Sequence, residues 1–434
     1  MGSIKGIQRV YHLVISLFWL ATALPLALFV LLAQERGLNL FQVGIVMGLY
    51  SLTIVLLELP TGGLADTIGR KRVAILAYSF ILVSGFVLLG AFTFPIFLIG
   101  SILNGVGRAL SSGALDAWFV DAIKSIDEDV DLQPIFAKVG TFTSLSLGVG
   151  TIGGSLIPVF FSNLPAEGSA IFTPLSMPLA ISAVIMVFLL LAVIFLIKEE
   201  RFLLNENTWS KSVREIPAIV KTAVSLTRQN QIFKLLLGVT IGSGFVLVSL
   251  ESFWQPHFAN LFGGSEGNTF WFGVIMGGNF LIGMLGNMIA TPISKVLGKR
   301  YAFVAAIFQG LRGIVLIGLT FQTNLPLGVL FFWLVYLNIG VIESPHSALL
   351  NDQIPSQQRS SMLSIASLAS YLGGAIGGIF LGYIAEQFSI RSAWIIAGVI
   401  SVISLSLYLR IDNIQSKQRE IGQNDQESRI FETS

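Results

Sequence analysis

The feature that most constrains this chain is a succession of long apolar stretches separated by short polar segments. A helix needs about 20 mostly apolar residues to cross the hydrocarbon core of a bilayer, and stretches of this length recur along the whole sequence. The chain is 54% hydrophobic and 12% charged, with a mean hydropathy of +0.80. Too few polar residues are present to cover a water-soluble globule of this size, so we expect an all-α polytopic membrane protein.

Twelve of these stretches are predicted to be transmembrane helices. Numbered as spans 1 to 6, the first set is 10–33, 41–63, 73–92, 96–121, 136–161 and 174–197. Spans 7 to 12 are 232–260, 269–290, 301–321, 326–349, 360–385 and 391–411. The predicted organisation is an N-terminal six-helix half (1–197), a cytoplasmic linker (198–231), a C-terminal six-helix half (232–411) and a cytoplasmic tail (412–434). After Ser210 the linker has amphipathic helical spacing, and the tail is polar enough to be disordered.

An internal repeat supports the division into two halves. The segment 41–48, Phe-Gln-Val-Gly-Ile-Val-Met-Gly, recurs at 270–277 as Phe-Trp-Phe-Gly-Val-Ile-Met-Gly. Three shorter matches follow in the same order at nearly the same spacing, among them 69–71, Gly-Arg-Lys, which recurs at 298–300 as Gly-Lys-Arg. We therefore predict two pseudo-symmetric six-helix halves.

The distribution of lysine and arginine predicts the orientation of the chain. With the N-terminus in the cytoplasm, all but four of the 26 lysine and arginine residues lie in cytoplasmic segments. The four exceptions are Arg36 and Arg391 outside and Arg108 and Arg312 within helices. Because cytoplasmic loops carry an excess of these cations, we expect both termini to be cytoplasmic in a multi-pass protein of the plasma or inner cell membrane.

A dense motif lies in the loop between spans 2 and 3. Residues 58–72 read Glu-Leu-Pro-Thr-Gly-Gly-Leu-Ala-Asp-Thr-Ile-Gly-Arg-Lys-Arg, in which a glycine permits a tight turn and three successive cations favour the cytoplasmic side. The run resembles the loop between the second and third helices of the major facilitator superfamily, whose pattern is Gly-x-Leu-Ala-Asp-x-x-Gly-Arg-Lys. The matching positions are Gly63, Leu64, Ala65, Asp66, Gly69, Arg70 and Lys71.

The resemblance implies a transporter that works by alternating access. In such a protein the two halves are parallel repeats related by an axis along the membrane normal, with the substrate site between them near the midplane. The resemblance also implies that spans 1, 4, 7 and 10 line the cavity. Ionisable side chains there are the first candidates for function, because an ionisable group at membrane depth costs a few kcal/mol.

Span 4 contains two such candidates for substrate binding or proton coupling, Arg108 and Asp116. They are eight residues apart, which places them on much the same face of a continuous helix, and Glu58 of span 2 is their expected neighbour. Arg108 resembles the arginine that drug-exporting members carry in this span, although Ser111 and Ser112 stand where those members have Gln-Gly. The alternative is an internal charge network that only holds the halves together.

Spans 7 and 10 contain the other candidates, Glu251 with Trp254 and Glu343 with His346. In each pair the ring lies three residues after the carboxylate and therefore on the same helix face. A carboxylate beside an imidazole or indole in a wet cavity is suited to carry a proton, and the aromatic ring offers a face to an organic solute.

Asp66, Gly69, Arg70 and Asp121 are predicted to form a conformational switch. The resemblance implies that Arg70 pairs with Asp121 to stabilise the outward-facing state, and that breaking this pair favours the inward-facing state. Asp66 is expected near the N-terminus of span 11, where the helix dipole is positive. The second half has Lys295 where the first has Asp66. The alternative is an ordinary loop anchor.

These features predict a secondary active transporter that couples proton movement to efflux of amphipathic organic compounds. The alternative is a transporter of a specific metabolite, either an importer or a siderophore-type exporter, and a membrane enzyme or receptor is a third hypothesis. The sequence shows no nucleotide-binding loop, nucleophile motif or metal-ligand cluster, so we expect no enzyme, cofactor or metal site. The expected partners are a small organic solute, protons and the lipid bilayer, with no nucleic acid, and we expect a monomer.

Overall fold

The computed structural model describes residues 3–62, 64–128, 130–166, 169–199, 221, 225, 227–264, 267–354 and 359–432. The described residues form α-helices joined by turns, without a strand, and the all-α prediction is confirmed. Most of the predicted linker, including the amphipathic part after Ser210, lies outside the described residues.

The described residues before the linker form nine helices. They are α1 (Ile4–Ala23), α2 (Phe29–Glu35), α3 (Leu40–Gly62), α4 (Ala65–Ile68), α5 (Arg70–Leu89), α6 (Phe94–Ser111), α7 (Ala114–Lys124), α8 (Gln133–Phe160) and α9 (Met177–Leu196). From Gln231 onward the described residues form six more. They are α10 (Gln231–Phe262), α11 (Thr269–Val296), α12 (Tyr301–Leu319), α13 (Leu325–Asp352), α14 (Arg359–Gln387) and α15 (Ile390–Glu432).

Eleven helical segments of the described residues are long and apolar enough to cross a membrane. The remaining predicted span is the first, which the structure divides into α1 and α2 by turns at 24–28. Pro25 lies in these turns, and proline interrupts a helix because it lacks a backbone N–H and its ring clashes with the preceding turn. These eleven segments and the interrupted first segment thus account for the twelve predicted spans.

Span 4 is also interrupted, whereas the sequence predicted one continuous helix. Helix α6 ends at Ser111 and α7 begins at Ala114. Between them Gly113 has a φ of +74°, a left-handed conformation that glycine adopts readily because it has no Cβ. The helical repeat is therefore broken, so a spacing of eight residues does not by itself place Arg108 and Asp116 on one face.

The C-terminal tail is helical rather than disordered. Helix α15 continues from span 12 through Glu432. Residues 412–432 contain many Gln, Glu, Lys and Arg residues, a single glycine and no proline. These residue types favour helix, and an existing helix extends more easily than a new one starts.

The helix pairings of the first half recur in the second half. In the first half α1 packs on α8 and α9, α3 packs on α6, and α5 packs on α6 and α9. In the second half α10 packs on α14 and α15, α11 packs on α13, and α12 packs on α13 and α15. Spans with equivalent numbers therefore have equivalent neighbours, which is the pseudo-symmetry that the sequence repeat predicted.

The two halves meet mainly through two equivalent helix pairs, α3 with α14 and α11 with α8. We call the side of the bundle where α1 begins the termini side, and the opposite side the far side. On the far side, a Cβ at Gly44 would lie 2.2 Å from the carbonyl oxygen of Gly378, and a Cβ at Gly273 would lie 1.9 Å from Oγ of Ser155. Gly44 and Gly273 are equivalent positions of the repeat, so glycine allows the same close helix approach in both halves.

The hydrophobic clusters divide in the same way. On the far side one cluster contains residues of both halves. Leu28 of the first half and Phe253 of the second half are among its members. On the termini side each half has a cluster of its own, one containing Phe119 and the other Phe233. Among the described residues, the halves are thus joined on the far side and have separate cores on the termini side.

We expect Gly44→Ala to lower the melting temperature of the purified protein. The added Cβ must displace the backbone of α14, and overpacking of this kind typically costs about 1–3 kcal/mol. Gly148→Ala is the matched control, because a Cβ at Gly148 in α8 would meet nothing within 4 Å and alanine favours helix over glycine. Equal melting temperatures for the two variants would contradict the close contact between α3 and α14.

Candidate functional site

Gln255 of α10 joins the two halves on the far side. Its side chain is buried, with 2% of the residue exposed. Its Oε1 accepts hydrogen bonds from the backbone N–H groups of Val30 (2.9 Å) and Leu31 (3.4 Å), and its Nε2 donates to the carbonyl oxygen of Leu26 (3.0 Å). The N–H groups are free because the first turn of a helix has no preceding carbonyl partners, so Gln255 caps α2 from the other half and closes the far side.

Apart from Asp121 at the end of span 4, three carboxylates lie at exposed positions within the predicted spans, Asp116 in α7, Glu251 in α10 and Glu343 in α13. A carboxylate facing lipid at this depth would be costly. Exposure to water between two halves that are separate on the termini side avoids this cost. The carboxylates therefore fit a water-accessible space that opens to the termini side.

An electrostatic chain runs from the first half to the second. Glu58 of α3 interacts electrostatically with Arg108 of α6, and so does Tyr50 of α3. Tyr50 also interacts with Glu251 of the second half, which in turn interacts with Tyr336 of α13. The predicted neighbours Glu58 and Arg108 are thus brought together, and a tyrosine connects them with the carboxylate of α10.

Asp116 has a different set of partners. The hydroxyl of Tyr11 in α1 donates a hydrogen bond to its carboxylate. Tyr78 of α5 interacts with both Asp116 and Arg108, so the two charges of span 4 share a neighbour although the helix between them is broken. Asp116 is therefore linked to span 1 and span 3 rather than to Glu58 directly.

A cavity of about 510 Å³ lies between α11 and α13. Its described polar lining consists of Asn279, Asn287, Tyr336 and Glu343. Its other lining residues are glycines and the apolar side chains of Phe280, Met284, Met288 and Ile339. Because Tyr336 also interacts with Glu251, the cavity adjoins the electrostatic chain.

The ring residues predicted to accompany the carboxylates are both packed inside the second half. Trp254 is 1% exposed, its ring stacks on Phe332 with centroids 5.7 Å apart, and it offers no face to a solute in this conformation. His346 is held by hydrogen bonds through both ring nitrogens, to the hydroxyls of Tyr408 (2.8 Å) and Thr240 (3.2 Å). Trp254 is therefore buried, whereas Glu251 lies at an exposed position, although the two residues are only three positions apart.

Arg70 and Asp121 form the ion pair predicted for the switch. The pair connects α5 with α7, both in the first half. It is formed while the halves are separate on the termini side, whereas the resemblance implied that the pair breaks when the cytoplasmic side opens. Gly69 has a φ of +97° at the start of α5, as the predicted turn requires. The side chain of Asp66 lies outside the described residues, so its predicted position near α14 stays a prediction.

Glu199 is a member of this cluster that the sequence did not indicate. Its carboxylate accepts hydrogen bonds from the backbone N–H groups of Arg70 (2.8 Å) and Lys71 (3.1 Å), at the positive N-terminal end of α5. The Nζ of Lys71 donates to the carbonyl oxygen of Ile194 (2.7 Å). The end of span 6 is thereby fastened to the loop that carries the motif.

The equivalent loop of the second half has an ion pair between Arg300 and Asp412. The hydrogen bond and the charge of Asp412 raise the pKa of Arg300. The pair connects the start of α12 with α15, and it corresponds to the fastening of α5 to its neighbours in the first half. Among the described residues, no group of three or more His, Cys, Asp or Glu side chains is arranged to hold a metal ion.

Several residues of the site were missed by sequence reasoning. Gln255 is visible in the sequence as a polar residue of span 7, but an amide in an apolar helix does not reveal its partner, and the same holds for Asn279. Nothing in the sequence singles out Tyr11 or Tyr50. Treating every polar or phenolic residue in the cavity-lining spans as a candidate would have included these residues. It would also have included many residues that have no role in the site.

The sequence matches the profile described as "Major Facilitator Superfamily" over residues 12–344 and 272–432. The chain belongs to this superfamily. A relative in Buchnera aphidicola, the "Uncharacterized transporter BU466", is 22% identical over 350 residues, which cover 78% of this chain and 79% of the relative. The family and the fold together identify a membrane transporter of the major facilitator type.

Solved structures show the same fold. The nucleoside transporter NupG aligns with a TM-score of 0.71 at 15% identity, covering 94% of this chain and 99% of the other. A bacterial homologue of the human lysosomal transporter Spinster, in an inward-facing conformation, aligns with a TM-score of 0.74 at 12% identity, covering 94% and 97% of the two chains. The peptide transporter POT aligns with a TM-score of 0.71 at 13% identity, covering 94% of each.

We expect Gln255→Leu to open the far side of the transporter. The substitution leaves the N–H groups at the start of α2 and the carbonyl of Leu26 without partners, which costs about 1–3 kcal/mol for a buried group. The chain has no cysteine, so Ala27→Cys, at a buried far-side position, reports access by its rate of reaction with a membrane-impermeant thiol reagent. This rate should rise about tenfold.

The matched control for this experiment is Gln322→Leu. The Gln322 amide, also on the far side, bonds to Gly318 in the adjacent helix end rather than across the halves (2.9 Å). It should leave the labelling rate of Cys-substituted Ala27 unchanged. An equal rate in the two backgrounds would show that Gln255 does not hold the halves together.

We expect the pair of Arg70 and Asp121 to affect transport more than stability. The side chain of Asp121 is 65% exposed, and exposed ion pairs contribute about 0–1 kcal/mol to folding. Asp121→Asn should therefore change the melting temperature little while slowing transport severalfold. The exchange Arg70→Asp with Asp121→Arg should restore part of the rate, and a wild-type rate in Asp121→Asn would reduce the pair to a loop anchor.

Proposed function

We propose that this protein exports amphipathic organic compounds from the cytoplasm in exchange for protons. The observation that carries the proposal is the set of three exposed carboxylates, Asp116, Glu251 and Glu343, placed within spans of both halves. A transporter coupled to protons needs titratable groups that reach water and that change their surroundings when the halves move. Carboxylates at this depth meet that need.

The orientation of the chain in the membrane decides which side of the membrane the space between the halves faces. The positive-inside distribution of lysine and arginine supports a cytoplasmic location for both termini in the plasma or inner cell membrane. On this proposal the termini side is the cytoplasmic side and the conformation is inward-facing, with Gln255 among the contacts that join the halves on the outer side. An exporter loads its solute from the cytoplasm in this state.

The electrostatic chain suggests how a proton and a solute compete. Glu251 and Glu343 belong to the second half, whereas Arg108 and Asp116 belong to the first half, and Tyr50 interacts electrostatically with both Arg108 and Glu251. A cation that binds a carboxylate displaces its proton, and closure of the halves changes the distance between the carboxylates and Arg108. Binding, proton release and movement are thereby coupled through the same groups.

The switch in the cytoplasmic loops completes the proposal. Arg70, Asp121 and Glu199 fasten α5, α7 and the end of α9 to one another, so these ends move as one body. When the cytoplasmic side closes, this body meets the start of α14, where the helix dipole favours a carboxylate such as Asp66. The protein acts as a monomer, since one chain contains both halves.

A first experiment adds candidate solutes to purified protein in weak buffer and measures the pH. Lipophilic amines that displace protons support antiport. If no compound in a broad set of lipophilic cations releases protons, the proposal fails. The favoured hypothesis is then transport of a specific metabolite, by an importer or by a siderophore-type exporter.

We expect Asp116→Asn and Glu343→Gln each to abolish gradient-driven accumulation of solute in inverted vesicles. Each substitution removes a titratable group and keeps the size of the side chain, so both variants should retain a wild-type melting temperature. Glu128→Gln is the control, because this glutamate lies at an exposed position between α7 and α8. Wild-type accumulation by both variants would show that neither carboxylate carries the coupling.

A further inference from the structure

The cavity between α11 and α13 has two polar ends and an apolar middle. Both helices run from the far side to the termini side, and the ring of Trp333 lies against Gly278 while Gly340 lies against Gly283. This register places Asn279 beside the far end of the cavity with Tyr336. Glu343 lies at the other end, seven residues after Tyr336, which corresponds to about 10 Å along a helix that rises about 1.5 Å per residue.

Asn279 presents an acceptor that the protein leaves unused. The residue is 1% exposed, and its Nδ2 donates to Sδ of Met276 at 3.6 Å. Its Oδ1 is buried and has no hydrogen-bond partner. A buried acceptor without a donor is destabilising, so a solute that brings a hydroxyl or a neutral N–H group to this position gains a hydrogen bond that the empty site lacks.

Glu343 sets the charge of the other end. It is the only carboxylate among the described residues that line the cavity, and that lining contains no lysine or arginine. An anionic solute would therefore find no counter-charge, whereas an ammonium group would find one. Between the two ends lie Phe280, Met284 and Ile339, whose surfaces suit a hydrocarbon chain.

We propose that this cavity binds an elongated organic amine that carries a neutral hydrogen-bond donor about 10 Å from its ammonium group. The ammonium group pairs with Glu343, the chain lies on the apolar middle, and the donor bonds to Oδ1 of Asn279. The proposal rests on the proposed function, whose solute class it narrows. Asn279 is then the residue that distinguishes an amine with a distal donor from a simple alkylamine.

The test measures binding of matched probes to purified protein by calorimetry, without a proton gradient. Wild type should bind 8-amino-1-octanol about tenfold more tightly than octylamine, because only the first probe satisfies the buried acceptor. The shorter pair, 4-amino-1-butanol and butylamine, should show no such difference, since the shorter chain does not reach from Glu343 to Asn279. Equal affinity for the two long probes would overturn the proposal.

Two substitutions of the same kind locate the effect. Asn279→Leu should remove the tenfold advantage of the amino alcohol while keeping the affinity for octylamine. Asn260→Leu makes the same chemical change at an exposed position near the end of α10, outside the lining of the cavity, and should keep the advantage. An advantage that survives in Asn279→Leu, in protein with a wild-type melting temperature, would contradict the assignment.

Measurements of probe binding and of gradient-driven transport together distinguish failure of the amine site from failure of the proposed proton coupling. Glu343→Gln should weaken both long probes to the same degree, which identifies the charged end. Loss of the probe selectivity with intact gradient-driven transport rejects the amine site alone. Intact selectivity in a protein that shows no gradient-driven transport rejects the coupling and leaves the binding site.

Discussion

The whole arrangement depends on the free energy of an ionised carboxylate placed among apolar helices. Such a group is stable at membrane depth only where water or a counter-charge reaches it. Asp116, Glu251 and Glu343 lie at exposed positions, which fits a water-filled space between the two halves. If the hydrophobic clusters of the two halves were merged on the termini side, the same side chains would be sealed in an apolar interior.

The contacts between the halves are of a kind that allows movement. On the far side they include glycine backbones in close approach, one cluster of apolar side chains and the three hydrogen bonds of Gln255. The backbone N–H of Leu40 also donates to the carboxylate of Glu386, and the hydroxyl of Ser155 donates to the carbonyl oxygen of Phe270. Within each half, by contrast, helices are fastened by buried aromatic rings and by ion pairs such as Arg300 with Asp412. The join between the halves is thus mostly apolar and has few directional bonds, which suits rocking of two bodies.

The fold could be predicted well from the sequence because the patterns that indicate it are repeated many times along the chain. The length of the apolar stretches, the distribution of cations and the repeat of 41–48 at 270–277 all describe the same two halves. The repeat even locates a contact, since Gly44 and Gly273 are equivalent and both allow a helix of the other half to approach closely. No single residue decides such a prediction.

The site was predicted less completely because its details depend on single residues and on distant partners. One glycine interrupts span 4, and apolar helices contain many glycines that do not. Trp254 shares a face with Glu251 by spacing, yet its ring packs among the aromatics of the second half. Gln255 accepts a hydrogen bond from the backbone of Val30, which is 225 residues away in the sequence. No periodicity of the sequence reveals such a partner.

The most direct test of proton-coupled rocking is the distance between the halves on each side of the membrane. In the cysteine-free chain, spin labels at Lys124 and Lys295 report the termini side, and labels at Ser162 and Thr323 report the far side. We expect the first distance to shorten by several ångströms and the second to lengthen when the coupling carboxylates are protonated at low pH. Two distances that stay fixed, or that change in the same direction, would contradict this coupling.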